Sequence, residues 1–124
     1  MMEWRKLCSS ARDVEVDGDS LVVSLQDGRR HRIDVRVSDD AVELRAIVAG
    51  RAVVESQADA ALAAWHKNRA VSLVGFRIDR NGRLIGETWI PQAGLTAAEF
   101  LVYARSMAAA CDLFEFQLTG QDKE

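Results

Sequence analysis

Proline is nearly missing from this 124-residue chain. Pro91 is the only one, so proline-rich low-complexity tracts are excluded, and it stands between the last expected strand and the last expected helix, where a break belongs. Cysteine is almost as scarce. Cys8 and Cys111 lie far apart and form neither a CxxC nor a metal-ligand cluster, which leaves them as two small apolar side chains for a core. No apolar run approaches the roughly 20 residues of a membrane helix, and Met1-Met2-Glu3-Trp4-Arg5-Lys6 has no apolar signal region. A cytoplasmic protein is therefore expected, with no membrane partner. Nor does either sign of charge dominate. Sixteen basic against nineteen acidic residues leave a net charge of −3, which argues against nucleic acid as a partner. Arg29, Arg30, Arg32, Arg36, Arg45 and Arg51 crowd together, but acidic residues alternate with them, as on a solvated sheet face.

Catalytic signatures are missing too. The two histidines, His31 and His66, fall on different expected elements, and there is no GxSxG, HExxH or phosphate-binding glycine loop. Asp13, Asp17, Asp19, Asp39 and Asp40 sit in expected turns, where aspartate satisfies local backbone donors, and they lack the spacing of a calcium hand. An enzyme would need the sequence-distant His31, Asp34 or Glu87 to converge in a cleft. The expectation is a non-enzymatic protein with no cofactor and no metal.

What is present is periodicity. A chain of this length makes one domain, residues 1–124, able to remove roughly two thirds of its unfolded surface from water. From Leu21 to Ala49 apolar residues alternate with polar ones, predicting three antiparallel strands. His31, Ile33, Val35 and Val37 point one way; Arg30, Arg32, Asp34 and Arg36 point the other. A two-residue turn at Asp27-Gly28 would set apolar side chains among arginines. The loop Gln26-Asp27-Gly28 instead places Val23 opposite His31 and Leu21 opposite Ile33, with Gly28 in the left-handed position. A four-residue connection, Ser38-Asp39-Asp40-Ala41, then sets Val37 against Val42, Val35 against Leu44 and Ile33 against Ala46. A second strand pair runs from about Val71 to Ile90 around Asn81-Gly82. With those two residues as the loop, Ile78 faces Ile85 and Val74 faces Trp89 on the inner side, while Val71, Leu73, Leu84 and Ile90 lie on an apolar outer face that something must cover.

Three helices complete the pattern. Trp4, Leu7, Cys8 and Ala11 give a first helix of about ten residues, ending before Asp17-Gly18. An alanine-rich helix runs from Ser56 to about Arg69, with Ser56 or Asp59 as its cap. It either covers the core or self-associates; Trp65 is read as a core anchor, with a partner contact as its alternative, and His66 as a surface histidine. The last helix opens with the capping box Thr96-Ala97-Ala98-Glu99 and carries Phe100, Ala104, Met107, Ala108, Cys111 and Phe114 as its buried stripe; Gly120 and the charged tail should fray. The fold class is α+β: a single antiparallel sheet of about five strands with helices packed on it, in the order α-β-β-β-α-β-β-α.

That order resembles the type III secretion chaperone-like fold and the related YbjN-like family. The most particular stretches are V-S-L-V-G-F-R-I-D-R-N-G-R-L-I-G-E-T-W-I-P, G-L-T-A-A-E-F and A-A-A-C-D-L-F, which look like the strand pair, loop and closing helix of YbjN-like sequences. The resemblance implies a non-enzymatic homodimer that holds a protein or peptide client on an apolar sheet and helix surface. Trp65, Val71, Leu73, Leu84, Trp89 and Ile90 are the candidate partner-binding or dimer-binding residues, through burial and strand addition. The alternative is a small YbjN-like regulatory or adaptor protein that binds a folded partner and has no secretion role.

Overall fold

The computed structural model describes residues 2–119. In chain order these form a 3-10 turn (Trp4–Cys8), β1 (Val14–Asp17), β2 (Ser20–Ser24), β3 (Arg30–Val37), β4 (Ala41–Ala49), α1 (Arg51–Ser56), α2 (Ala60–Ala70), β5 (Gly75–Ile78), β6 (Leu84–Pro91) and α3 (Ala97–Thr119). The strands make one antiparallel sheet of six, in the order β1-β2-β3-β4-β6-β5. The class is α+β, as expected, with one strand more than expected.

The first loop behaves as its glycine requires. Gly28 adopts φ +88°, and the Leu25 amide donates to the Arg29 carbonyl at 2.7 Å, closing the loop Gln26-Asp27-Gly28. Val23 consequently lies opposite His31 and Leu21 opposite Ile33. The next connection sets Val37 against Val42 and Val35 against Leu44. Ile33 and Ala46 do not join that ladder, whose last pair is Asp34 and Arg45. Beyond it β3 and β4 part, and the His31 side chain reaches across to the Ile47 carbonyl.

The extra strand comes from the segment expected to end the first helix. Val14, Glu15 and Val16 pair with Val23, Val22 and Leu21, and Gly18-Asp19 is a two-residue hairpin loop with Gly18 at φ +63°. An isolated ten-residue helix is marginal because few hydrogen bonds offset its nucleation, whereas pairing with β2 places Val14 in the core, so only a 3-10 turn remains of the helix. Trp4 and Cys8 still face the core, the Trp4 ring 6.3 Å from that of Phe100.

The middle helix is also corrected. It is two helices, α1 and α2, broken where Gln57 turns extended, and Asp59 caps the second by accepting from the Leu62 amide at 3.1 Å. The cap at Ser56 is not used; its hydroxyl instead donates to the Val53 carbonyl at 2.7 Å.

α3 is as expected. The Thr96 hydroxyl accepts from the Glu99 amide and the Glu99 carboxylate accepts from the Thr96 amide, both at 3.1 Å. Phe100, Ala104, Met107, Ala108, Cys111 and Phe114 are all buried against the inner face of the sheet, with Leu21, Ile33, Leu44 and Val48 beneath them. Thr96→Ala should lower stability by about 1 kcal/mol in urea unfolding, because the Glu99 amide loses its acceptor and the Glu99 carboxylate loses the hydroxyl that helps to hold it. An unchanged midpoint would remove the cap from the account of how α3 starts. Gly120 and the tail lie outside the described residues.

Candidate binding surface

The hairpin at Asn81-Gly82 overturns the expected outer face. Asp79 and Arg83 close the loop, the Asp79 amide donating to the Arg83 carbonyl at 2.8 Å, so Arg80-Asn81-Gly82 is a three-residue loop with Gly82 at φ +79°. The Asp79 carboxylate builds it, accepting from the Asn81 and Arg83 amides at 2.9 Å each. These bonds, the Arg83 amide first, hold its carboxyl below the ordinary aspartate range. Ile78 therefore pairs with Leu84 and Phe76 with Gly86, one residue away from the two-residue register. A slip of one residue exchanges the two faces of a strand. Leu84 and Ile90, expected outside, are buried in the core; Trp89, expected inside, is 56% exposed.

Of the six candidate residues, then, Leu84 and Ile90 are core and Val71 packs partly against it. Trp65, Leu73 and Trp89 remain at the surface, on α2, the α2–β5 connection and the outer sheet face respectively. The apolar outer layer is replaced by a charged one. Arg30 bonds Glu15 at 2.6 Å and Arg32 bonds Asp17 at 2.7 Å, while Glu87 stands between Arg77 at 2.5 Å and Arg45 at 3.6 Å. Val22, on this face, is buried among them, the stems of long charged side chains covering apolar surface while their heads stay wet. Arg30, Arg32 and Arg45 thus lie on a solvated sheet face, as the alternating charge suggested, whereas Arg29 turns to Asp112 of α3 and Arg51 opens α1.

α2 is where the pattern is unusual. Its two buried residues are the small ones, Ala60 and Ala64, whereas Leu62 and Trp65 are 48% and 51% exposed. Trp65 is therefore not a core anchor; its indole stacks edge-on with the His66 ring at 5.0 Å and lies under the Arg69 guanidinium, also at 5.0 Å. Leu73, 43% exposed, adopts φ +71°, a left-handed conformation that disfavours a branched side chain. No sequence signal marks that strain, because Leu has no preference for such a site.

The free edge of β5 is occupied from within. The Asn68 side chain accepts from the Phe76 amide at 2.6 Å and donates to the Phe76 carbonyl at 3.0 Å, filling the place a further strand would take. Strand addition there must first displace Asn68.

Where β3 and β4 part, an open cleft of about 560 Å³ runs between Arg30, His31 and Arg32 on one side and Arg45, Ala46 and Ile47 on the other, with Asp112, Glu115 and Phe116 of α3 as its floor. His31 lies 3.2 Å from the Ile47 carbonyl through Nε2, and Arg29 pairs with Asp112. His31 and Asp34 both line this cleft but Glu87 does not, so the three do not meet in it: Asp34 accepts from the Ser20 hydroxyl at 2.7 Å and Glu87 is held by Arg77. The thiols are inert packing groups: both are free and buried, burial pushes Cys8 up, and Cys111 is pushed up to about 12 by burial and then by the charges of Asp112 and Glu115. No helix among the described residues is long and apolar enough to cross a membrane.

No family model matches this sequence, and no curated protein does. Solved structures do share the fold. YbjN from E. coli, a proposed transcription regulator, superposes with a TM-score of 0.68 at 12% identity, over 94% of this chain and 88% of that one. A chain of the HopA1–SchA chaperone–effector complex gives 0.52 at 11%, over 95% and 88%. The Yersinia pestis type III secretion chaperone SycH, solved with a fragment of YscM2, gives 0.50 at 5%, over 82% and 87%. These likenesses establish the fold expected from the element order.

Proposed function

We propose that this chain is a non-enzymatic module that holds a protein or peptide partner, and that the partner docks on the solvent side of α2. The observation that carries the reading is the inverted helix: alanines inward, Leu62 and Trp65 outward. An exposed tryptophan one turn from an exposed leucine, with a guanidinium on its ring, matches the composition of interface anchors. Leu73 adds to this, since a strained and exposed leucine contributes little to the fold that carries it. The shared fold supports a binding role, because two of the similar structures are chaperones solved with an effector or a fragment.

Within this reading side-chain burial on α2 takes the place of strand addition at the neighbouring β5 edge, which Asn68 closes. That feature also favours the adaptor reading, in which a folded partner brings a groove to α2 rather than a strand to the sheet. A second copy of the chain is the other possible occupant.

The test uses the tagged full chain expressed in its native host, with the partner identified by mass spectrometry, then re-expressed and titrated. Trp65→Ala should weaken that complex by about 10-fold or more while leaving the melting temperature nearly unchanged. Leu73→Gly should raise stability by about 1 kcal/mol through relief of the left-handed strain, and weaken binding as well. Light scattering separates the occupants: a mass that halves in Trp65→Ala assigns the surface to self-association. Retention of full affinity and mass by Trp65→Ala overturns the reading.

A further inference from the structure

We propose that His31, Asp112 and Glu115 form a binding site for a divalent transition-metal ion of the zinc class. Their ligand atoms lie within 4.8 Å of one another, so a small side-chain rotation brings them inside the roughly 4.4 Å that two bonds of about 2.2 Å to one ion can span. The residues come from distant parts of the chain. β3 supplies His31, and Asp112 and Glu115 stand three apart on one face of α3. The parting of β3 from β4 is what opens the space between them to solvent.

Two further features suit a cation. A carbonyl only accepts, so the contact between His31 Nε2 and the Ile47 oxygen at 3.2 Å makes Nε2 the protonated nitrogen; a neutral ring then keeps its lone pair on Nδ1. A ring N–H anchored on a backbone carbonyl is the outer-shell support that metal-bound histidines use. The second feature is charge. Asp112 shares its carboxylate with Arg29, whereas the half-buried Glu115 carboxylate has no ion pair or hydrogen bond among the described residues. A bound cation supplies that missing counter-charge.

One imidazole and two carboxylates select a borderline ion over magnesium or calcium, which take oxygen ligands only. Water from the cleft completes the coordination. Arg29 competes for Asp112, so micromolar affinity is expected rather than that of a closed structural zinc site.

The experiment titrates chelator-treated full-length protein with zinc chloride by calorimetry and with cobalt chloride by visible absorption. The expected result is about one equivalent bound, with Co2+ bands showing nitrogen ligation and no competition from Mg2+. His31→Gln and Glu115→Gln should each weaken binding by about 10-fold or more, and Arg29→Gln should strengthen it. Glu115→Gln is isosteric at a half-buried position, so it retains the fold, checked by circular dichroism, even where His31→Gln does not. No binding at ~100 µM metal, or binding that survives Glu115→Gln and is lost instead in His66→Gln, overturns the proposal.

Discussion

Gly86→Ala should destabilise the protein by about 1–3 kcal/mol and lower its melting temperature by about 5–10 °C, a large effect for one added methyl group. Gly86 sits in the middle of β6, between Ala46 of β4 and Phe76 of β5, directly beneath α3. A Cβ there would stand 2.6 Å from Cys111 Sγ, 3.2 Å from Phe76 Cε1 and 3.3 Å from Val74 Cγ1. All three neighbours are buried, so none can swing into solvent. Alanine gains something by restricting the unfolded chain, which is why the lower end of the range applies if the helix can shift. The cause can be isolated with a second substitution. Cys111→Ala removes the sulfur that collides, so Gly86→Ala should cost distinctly less in the Cys111→Ala background than in the wild type. Equal costs in the two backgrounds would show that α3 does not approach the sheet at this point.

The second large effect is expected at Asn68. Its amide is hydrogen-bonded to both backbone groups of Phe76, so it ties α2 to the sheet and closes the β5 edge at once. In Asn68→Leu a part-buried N–H and C=O lose their partners together, which should cost about 2–4 kcal/mol in urea unfolding. Asn68→Asp should be damaging too, because the carboxylate can still accept from the Phe76 amide but meets the Phe76 carbonyl with a second acceptor. Apart from stability, Asn68→Leu should associate with rising concentration in light scattering, since β5 would then present unpaired backbone groups. A variant that unfolds at the wild-type midpoint and keeps its mass at every concentration would mean that the edge is protected by something other than this side chain.

Several features of the fold were legible because short-range chemistry decided them. Gly28 and the alternation through His31 and Ile33 left one register that keeps apolar groups together, and the structure has it. The same holds for Thr96 and Glu99 and for the stripe from Phe100 to Phe114. At Asn81-Gly82 the strongest hairpin signal misled, because Asp79 bonds two amides of the loop and lengthens it by a residue. The pattern Gln26-Asp27-Gly28 offered the analogy, since both loops place glycine third. With β6 apolar at Leu84 and Ile90 as well as at Ile85 and Trp89, alternation alone could not tell its faces apart.

The candidate surface was legible only in part. Trp65, Leu73 and Trp89 are exposed, but nothing local says that α2 turns its alanines inward; the close approach of α2 to β5, with Asn68 on the β5 edge, decides that. The cleft at His31 was invisible for the same reason. Its residues lie some eighty positions apart, and only the crossing of α3 beneath the parted ends of β3 and β4 brings them together. The amino-acid order thus determined the elements governed by neighbours a few residues apart: alternation, turns and caps. Tertiary structure alone decided which side of β6 is wet, which residues of α2 face outward and what His31 meets, because each of these is set by contacts between segments far apart in the chain.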